Sequence, residues 1–196
     1  FIKLMKYTIL ILIISTSCFS QKTNADPFAY GNIYDIEPQN INEFTNVFYW
    51  DFYKNVEHFN DKDFIKLTFE LFNSFNTKIY FKNITSLDST EKSKTIAIAK
   101  GMYDNCNVQI QIDYNKWMEL DNVKRLWIIY HELAHDVFNL THGKGGPLMN
   151  PTLPSYIDQF GFIDAKNDLI EYISNNNLYP SKCENNFTDL DRLIKN

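Results

Sequence analysis

His131-Glu132-Leu133-Ala134-His135 opens a stretch that runs on to His142 and closes on Pro147-Leu148-Met149-Asn150-Pro151. The chain holds four histidines, and three of them fall inside this stretch. Side chains at i and i+4 share a helix face, so His131 and His135 address one point, with Glu132 at its edge. Two neutral imidazoles beside a carboxylate suit a zinc ion that activates water. A catalytic zinc keeps three protein ligands and leaves a fourth position open, which makes His142 the candidate third ligand. On an unbroken helix His142 would lie about 10 Å along the axis from His135, at 1.5 Å per residue. One ion cannot bridge that gap with bonds of about 2.0–2.1 Å, so the helix must end between them and the chain must fold back. Asn139 is placed to end it, because asparagine enters the left-handed region readily and caps helix C-termini. Gly143, Gly145 and Gly146 then supply a flexible return to Pro147.

The stretch resembles the metzincin metallopeptidases, most closely the matrixin-like pattern H-E-x-x-H-x-x-G-x-x-H followed by a methionine turn. Leu148-Met149-Asn150-Pro151 resembles that turn. Two departures stand out: Phe138 occupies the place of the family glycine, and His142 comes one residue late, which predicts a turn one residue longer. Upstream, Lys78 to Lys82, Thr95 to Gly101 and Val108 to Trp117 resemble the last three strands before the active-site helix. Downstream, Pro154 to Asn175 resembles the loop and helix after the methionine turn, so the likeness spans residues 60–175. It implies an α+β, zincin-like fold: a twisted mixed β-sheet packed on the active-site helix, with a C-terminal helix after the turn. It also implies that Met149 forms a hydrophobic floor under the metal. The strand Thr95 to Gly101 becomes the sheet edge of the cleft, where an extended peptide can add through main-chain hydrogen bonds.

The chain opens with Lys3 and Lys6, an apolar run from Tyr7 to Ile14 and small residues ending Cys18-Phe19-Ser20. That pattern predicts a secretory signal peptide over residues 1–20 with cleavage before Gln21, and the apolar run is too short to span a membrane. A lipoprotein anchored at Cys18 is the alternative, against which Ser15 is a poor match for the aliphatic residue expected three places earlier. Residues 21–196 suit a single domain: a lead-in and first elements over 21–59 and a catalytic region over 60–196. Losing Lys3 and Lys6 takes the formal charge from −5 to −7. With no basic cluster, nucleic acid is excluded as a partner. Cys106 and Cys183 remain and are expected either to pair in an oxidising compartment or to be buried. The Asn-x-Thr sequences at Asn83, Asn139 and Asn186 are weak glycosylation signals in so asparagine-rich a chain.

Gln21 to Asn40, with Pro27, Gly31 and Pro38, reads as an extended lead-in. Ile41 to Phe59 is so dense in aromatics that helix and strand templates both fit. Phe64, Leu67, Leu71 and Phe75 recur at helical spacing over Asp61 to Phe75. Strands are expected at Lys78 to Asn83, Thr95 to Ala99 and Asn107 to Asp113, the last with Val108, Ile110 and Ile112 inward and Gln109, Gln111 and Asp113 outward. Asp121 or Asn122 caps the helix that carries the histidines, and Val123, Leu126, Trp127, Tyr130, Ala134 and Val137 form its apolar stripe. Asp164 to Ser174 predicts a further helix with Leu169, Ile170 and Ile173 apolar.

The function this supports is an exported zinc metalloendopeptidase acting on peptide or protein substrates. His131, His135 and His142 are the expected Zn2+ ligands. Glu132 is the expected general base, accepting the proton of the zinc-activated water and passing it to the leaving amine. The alternatives are a non-peptidase zinc hydrolase and an inactive, zinc-containing binding protein; an intact Glu132 argues against the second, since a structural site needs no base. Glu171 is the substitute third ligand. Asp136 either orients a ligand imidazole or lies on a solvated face, Tyr156 either stabilises the oxyanion or packs, and His58 reads as a surface or packing residue. Gln21 to Asn60 contains no cysteine that could cap the zinc from a propeptide.

Overall fold

Among the described residues, three strands and four helices are built from local signals that the chain places in order. The computed structural model describes residues 35–55, 76–84, 95–100 and 107–178. The expectations for residues 1–20, for Asp61 to Phe75, and for His58, Cys106 and Cys183 lie outside the described residues. The elements are α1 (Ile41–Asn55), β1 (Asn76–Phe81), β2 (Ala97–Ala99), β3 (Asn107–Ile112), α2 (Tyr114–Met118), α3 (Asn122–Phe138), a single 3-10 turn at Pro147–Met149, and α4 (Gln159–Asn175). The architecture is α+β, with a small mixed sheet. Among the described residues no helix is long and apolar enough to cross a membrane.

The sheet order is β1-β3-β2. β1 runs parallel to β3 with Ile79 opposite Ile110, and β2 runs antiparallel to β3 with Ile98 opposite Gln111. Val108, Ile110 and Ile112 are fully buried, the inward face that their alternation predicts. The opposite face departs from expectation. Gln111 is buried and donates to the Tyr80 hydroxyl at 2.6 Å. Asp113 is buried too, its carboxylate accepting the Ile84 N–H at 3.1 Å and the Lys116 N–H at 3.3 Å. The second of these bonds caps α2, so the strand stops at Ile112 and does not run on to Trp117.

In α3 fourteen of the seventeen residues are buried, so it is a central helix and not merely amphipathic. Its N-cap is Asp121, which accepts the Lys124 N–H at 2.8 Å. The described part of the Ile41 to Phe59 region, Ile41–Asn55, is helix: Ile41, Phe44, Phe48 and Phe52 recur at helical spacing and all are buried. Phe48 meets Tyr130 edge-on with centroids 4.9 Å apart, and Phe52 lies 5.2 Å from Phe138. Tyr130 meets Phe162 of α4 at 5.2 Å. Such pairs contribute about 0.5–1.5 kcal/mol each beyond area burial. α4 begins five residues before the expected Asp164, because Asp158 caps it by accepting the Gly161 N–H at 2.8 Å. Leu169, Ile170 and Ile173 form its buried side as expected.

The start of α3 is tied to the segment before α1. Arg125 is buried and donates to the Asn122 side chain at 2.6 Å and to the carbonyls of Trp117 and Met118 that end α2. Trp117 donates to the Pro38 carbonyl at 2.6 Å and Asn122 to that of Ile36 at 3.1 Å. These bonds fix where α3 sits before any side chain of its C-terminal half is considered.

Candidate metal centre

His131 and His135 lie on the last two turns of α3, and Asn139 ends the helix with φ 53 and ψ 32, the left-handed conformation expected of it. The Asn139 and Leu140 N–H groups both return to the Ala134 carbonyl, the second at 3.2 Å, which closes the helix end. Phe138 still belongs to the helix, where burial against Phe52 holds it. The turn that leads to His142 therefore begins at Asn139, where the sequence places it. The return loop closes when Gly143 donates to the Met149 carbonyl at 3.1 Å and Met149 donates to Gly146 at 3.1 Å. Gly145 has φ +97, and a methyl group there would sit 2.7 Å from Leu169 and 3.2 Å from Met149. Only glycine lets this loop lie against α4.

This reversal brings the three imidazoles together. Nε2 of His135 is 3.0 Å from Nε2 of His131, and Nε2 of His142 is 3.3 Å from the same atom. The other ring nitrogens of the first two face carbonyls: His131 Nδ1 the Leu148 oxygen at 2.7 Å, and His135 Nδ1 the Leu140 oxygen. A carbonyl only accepts, so both Nδ1 atoms carry the proton and both Nε2 atoms present a bare lone pair. Two bare lone pairs 3.0 Å apart repel unless a cation lies between them. Four-coordinate tetrahedral bonds of about 2.0–2.1 Å put neighbouring ligand atoms about 3.3 Å apart, close to the separations seen. The three histidines could thus hold a metal ion. Burial, opposed by the Leu148 hydrogen bond and aided by the other two imidazoles, lowers the His131 pKa to about 4; burial likewise lowers that of His135. Both are neutral ligands at neutral pH, which metal binding requires.

Glu132 is buried, at 8% exposure, beside this cluster. Burial raises its pKa to about 7, the Ala99 N–H that it accepts opposes the rise, and the negative charge of Asp136 adds to it. That N–H belongs to the outer edge of β2. The inward bonds run from Lys100 N–H to Gln109 and from Asp113 N–H to Ile96, so the alternate residues Ala97 and Ala99 turn their backbone groups away from β3. The edge strand thus faces the carboxylate.

Asp136 does not lie on a solvated face: it is fully buried and accepts the Gln109 N–H at 2.7 Å, fastening α3 to the central strand, and its charge acts on His135. Glu171 stands exposed with Asn175 as its neighbour at 3.4 Å and is not part of the histidine cluster. Tyr156 is 80% exposed, which removes the packing role weighed for it. Met149 is fully buried under the return loop. The sequence reading missed Asp51 and Lys166, each 1% exposed and ion-paired across 3.1 Å; a lysine amid the apolar positions of α4 is the only hint the sequence offers. No protein-family model matches the chain, and neither curated proteins nor solved structures give a match.

Proposed function

We propose that the chain is a zinc-dependent metalloendopeptidase of divergent, matrixin-like metzincin type. The observation that carries this reading is the convergence of three imidazole Nε2 atoms, two of them oriented by loop carbonyls, beside a buried carboxylate that is not a ligand. All-nitrogen donors at tetrahedral spacing favour zinc over calcium or magnesium, which take oxygen. His131, His135 and His142 would hold the zinc, which would supply Lewis acidity toward a water and a substrate carbonyl. Glu132 takes the water's proton and delivers it to the leaving amine. Ala99 holds Glu132 in place through its N–H. Among the described residues the backbone edge at Ala97 faces away from β3, which suits an extended peptide and favours a peptide substrate over a compact ester or amide. The left-handed Asn139 stands three residues before His142, the same interval that separates glycine from the third histidine in the metzincin pattern. Export through residues 1–20 is part of the proposal.

The test is metal analysis of the purified chain together with digestion of a peptide library by wild type and Glu132→Gln. About one zinc per chain is expected in both proteins, with cleavage by the wild type and a loss on the order of 10²–10⁴-fold in the variant. Stoichiometric zinc with no peptide cleavage by wild type, but with hydrolysis of a small ester or amide, would move the protein to the non-peptidase reading. Zinc with no hydrolysis at all would make it a binding protein.

A further inference from the structure

Asp51 of α1, Tyr130 of α3 and Lys166 of α4 meet in the interior behind the histidines. Lys166 Nζ lies 3.1 Å from both oxygens of Asp51, and the Tyr130 hydroxyl donates to the same carboxylate at 3.0 Å. Asp51 and Lys166 are 1% exposed and Tyr130 is fully buried. Stability alone gives no reason for this arrangement, since a buried ion pair is commonly neutral or unfavourable compared with apolar side chains of similar volume. What charged hydrogen bonds add is direction: they fix the sliding and rotation of three helices at one point, which apolar contacts leave soft.

Two of those helices set the metal centre. Tyr130 immediately precedes His131 in α3. One turn beyond Lys166 on α4, Leu169 packs where Gly145 admits it, and Asp168 lies against Gly146. Those glycines belong to the return loop whose Leu148 carbonyl holds His131 Nδ1. The path is continuous: the charge cluster sets α4 against α3, α4 seats the loop, and the loop carbonyl aims the imidazole.

We infer that Asp51, Lys166 and Tyr130 are positioning residues for the metal centre, retained for the geometry of the ligands and not for the stability of the fold. The inference rests on the metal reading proposed above. The experiment compares the full-length wild type with Asp51→Leu/Lys166→Met, which removes both charges together and leaves no orphaned ion in the core. Zinc affinity is read by chelator competition, ligand geometry by the visible spectrum of the cobalt-substituted protein, and stability by denaturant unfolding without metal. Metal-free stability is expected to equal or exceed that of wild type, while zinc affinity falls about 10-fold or more, the range typical of groups that orient ligands from outside the coordination shell. The cobalt spectrum should shift. Should the double variant fail to fold, Tyr130→Phe removes a single hydroxyl and is expected to weaken zinc severalfold with the fold intact. A folded variant that binds zinc within twofold of wild type and keeps the cobalt spectrum overturns the inference alone. Wild type that binds no zinc overturns the metal reading, and this inference with it.

Discussion

Asn139 is the residue on which the centre turns, because its left-handed backbone is what stops α3 and sends the chain back toward His135. A residue with a β-branched side chain meets its own carbonyl in that conformation, whereas glycine does not. Asn139→Gly is therefore expected to leave stability within about 1 kcal/mol, and Asn139→Val to cost about 1–2 kcal/mol or more, measured by denaturant unfolding. The larger effect should appear in zinc retention, since His142 lies just beyond. At this scale the sequence was informative: four histidines with three in one stretch, a spacing that forbids a straight helix, and one residue type suited to ending it. What spacing does not carry is the packing of a single ring. The burial of Phe138 against Phe52 anchors the last residue of the helix, and the partner lies far away in sequence. Asp136 escaped for the same reason, its acceptor role being decided by where β3 happens to run.

Among the elements, the return loop and the edge strand shape the candidate metal centre. A methyl group at Gly145 would strike Leu169 at 2.7 Å in a backbone conformation that side chains avoid, φ +97. Gly145→Ala is expected to cost about 1–3 kcal/mol and to displace Met149 and His142 together; a lowered thermal midpoint with weaker zinc binding checks it, and an unchanged midpoint would contradict the tight seat. Ala97 turns its N–H outward, so Ala97→Pro removes a donor without breaking the ladder to β3. Peptide KM should rise severalfold with kcat little altered, and steady-state kinetics on an extended peptide decide the matter. β3 and α3 were legible because their periods are long and clean. α1 was not: Tyr49 and the exposed Trp50 sit among Phe48 and Phe52, so apolar residues fill both templates, and only burial sorts them. The start of α4 hid behind Gly161 and the 75% exposed Phe160, which read as loop until the Asp158 cap is seen.

For the whole molecule, the interior holds more ionisable groups than the pattern of the sequence betrays. Tyr49 has its pKa pushed up to about 12 by burial, with the Thr77 hydrogen bond opposing and Asp136 adding, and Tyr130 is raised well above its ordinary value by burial and Asp51. A phenol that resists ionisation in the folded state stabilises the fold fully below pH 10 and loses that contribution as pH rises from 10 toward 12. Unfolding free energy is expected to fall by about 2–3 kcal/mol over that window from Tyr49 alone, followed by equilibrium unfolding at stepped pH; Tyr49→Phe should flatten the slope. Lys166 was invisible in advance because one charged side chain on the apolar side of α4 leaves the helical period intact, and its partner sits 115 residues away. The return loop has a last consequence at this scale. It carries His142 and also supplies both carbonyls that hold the other two imidazoles, Leu140 for His135 and Leu148 for His131. In the proposed zinc site all three donors would therefore depend on one segment, and opening it would loosen them together. Loss of a bound ion to a chelator is then expected to speed up in any variant that opens the loop more often.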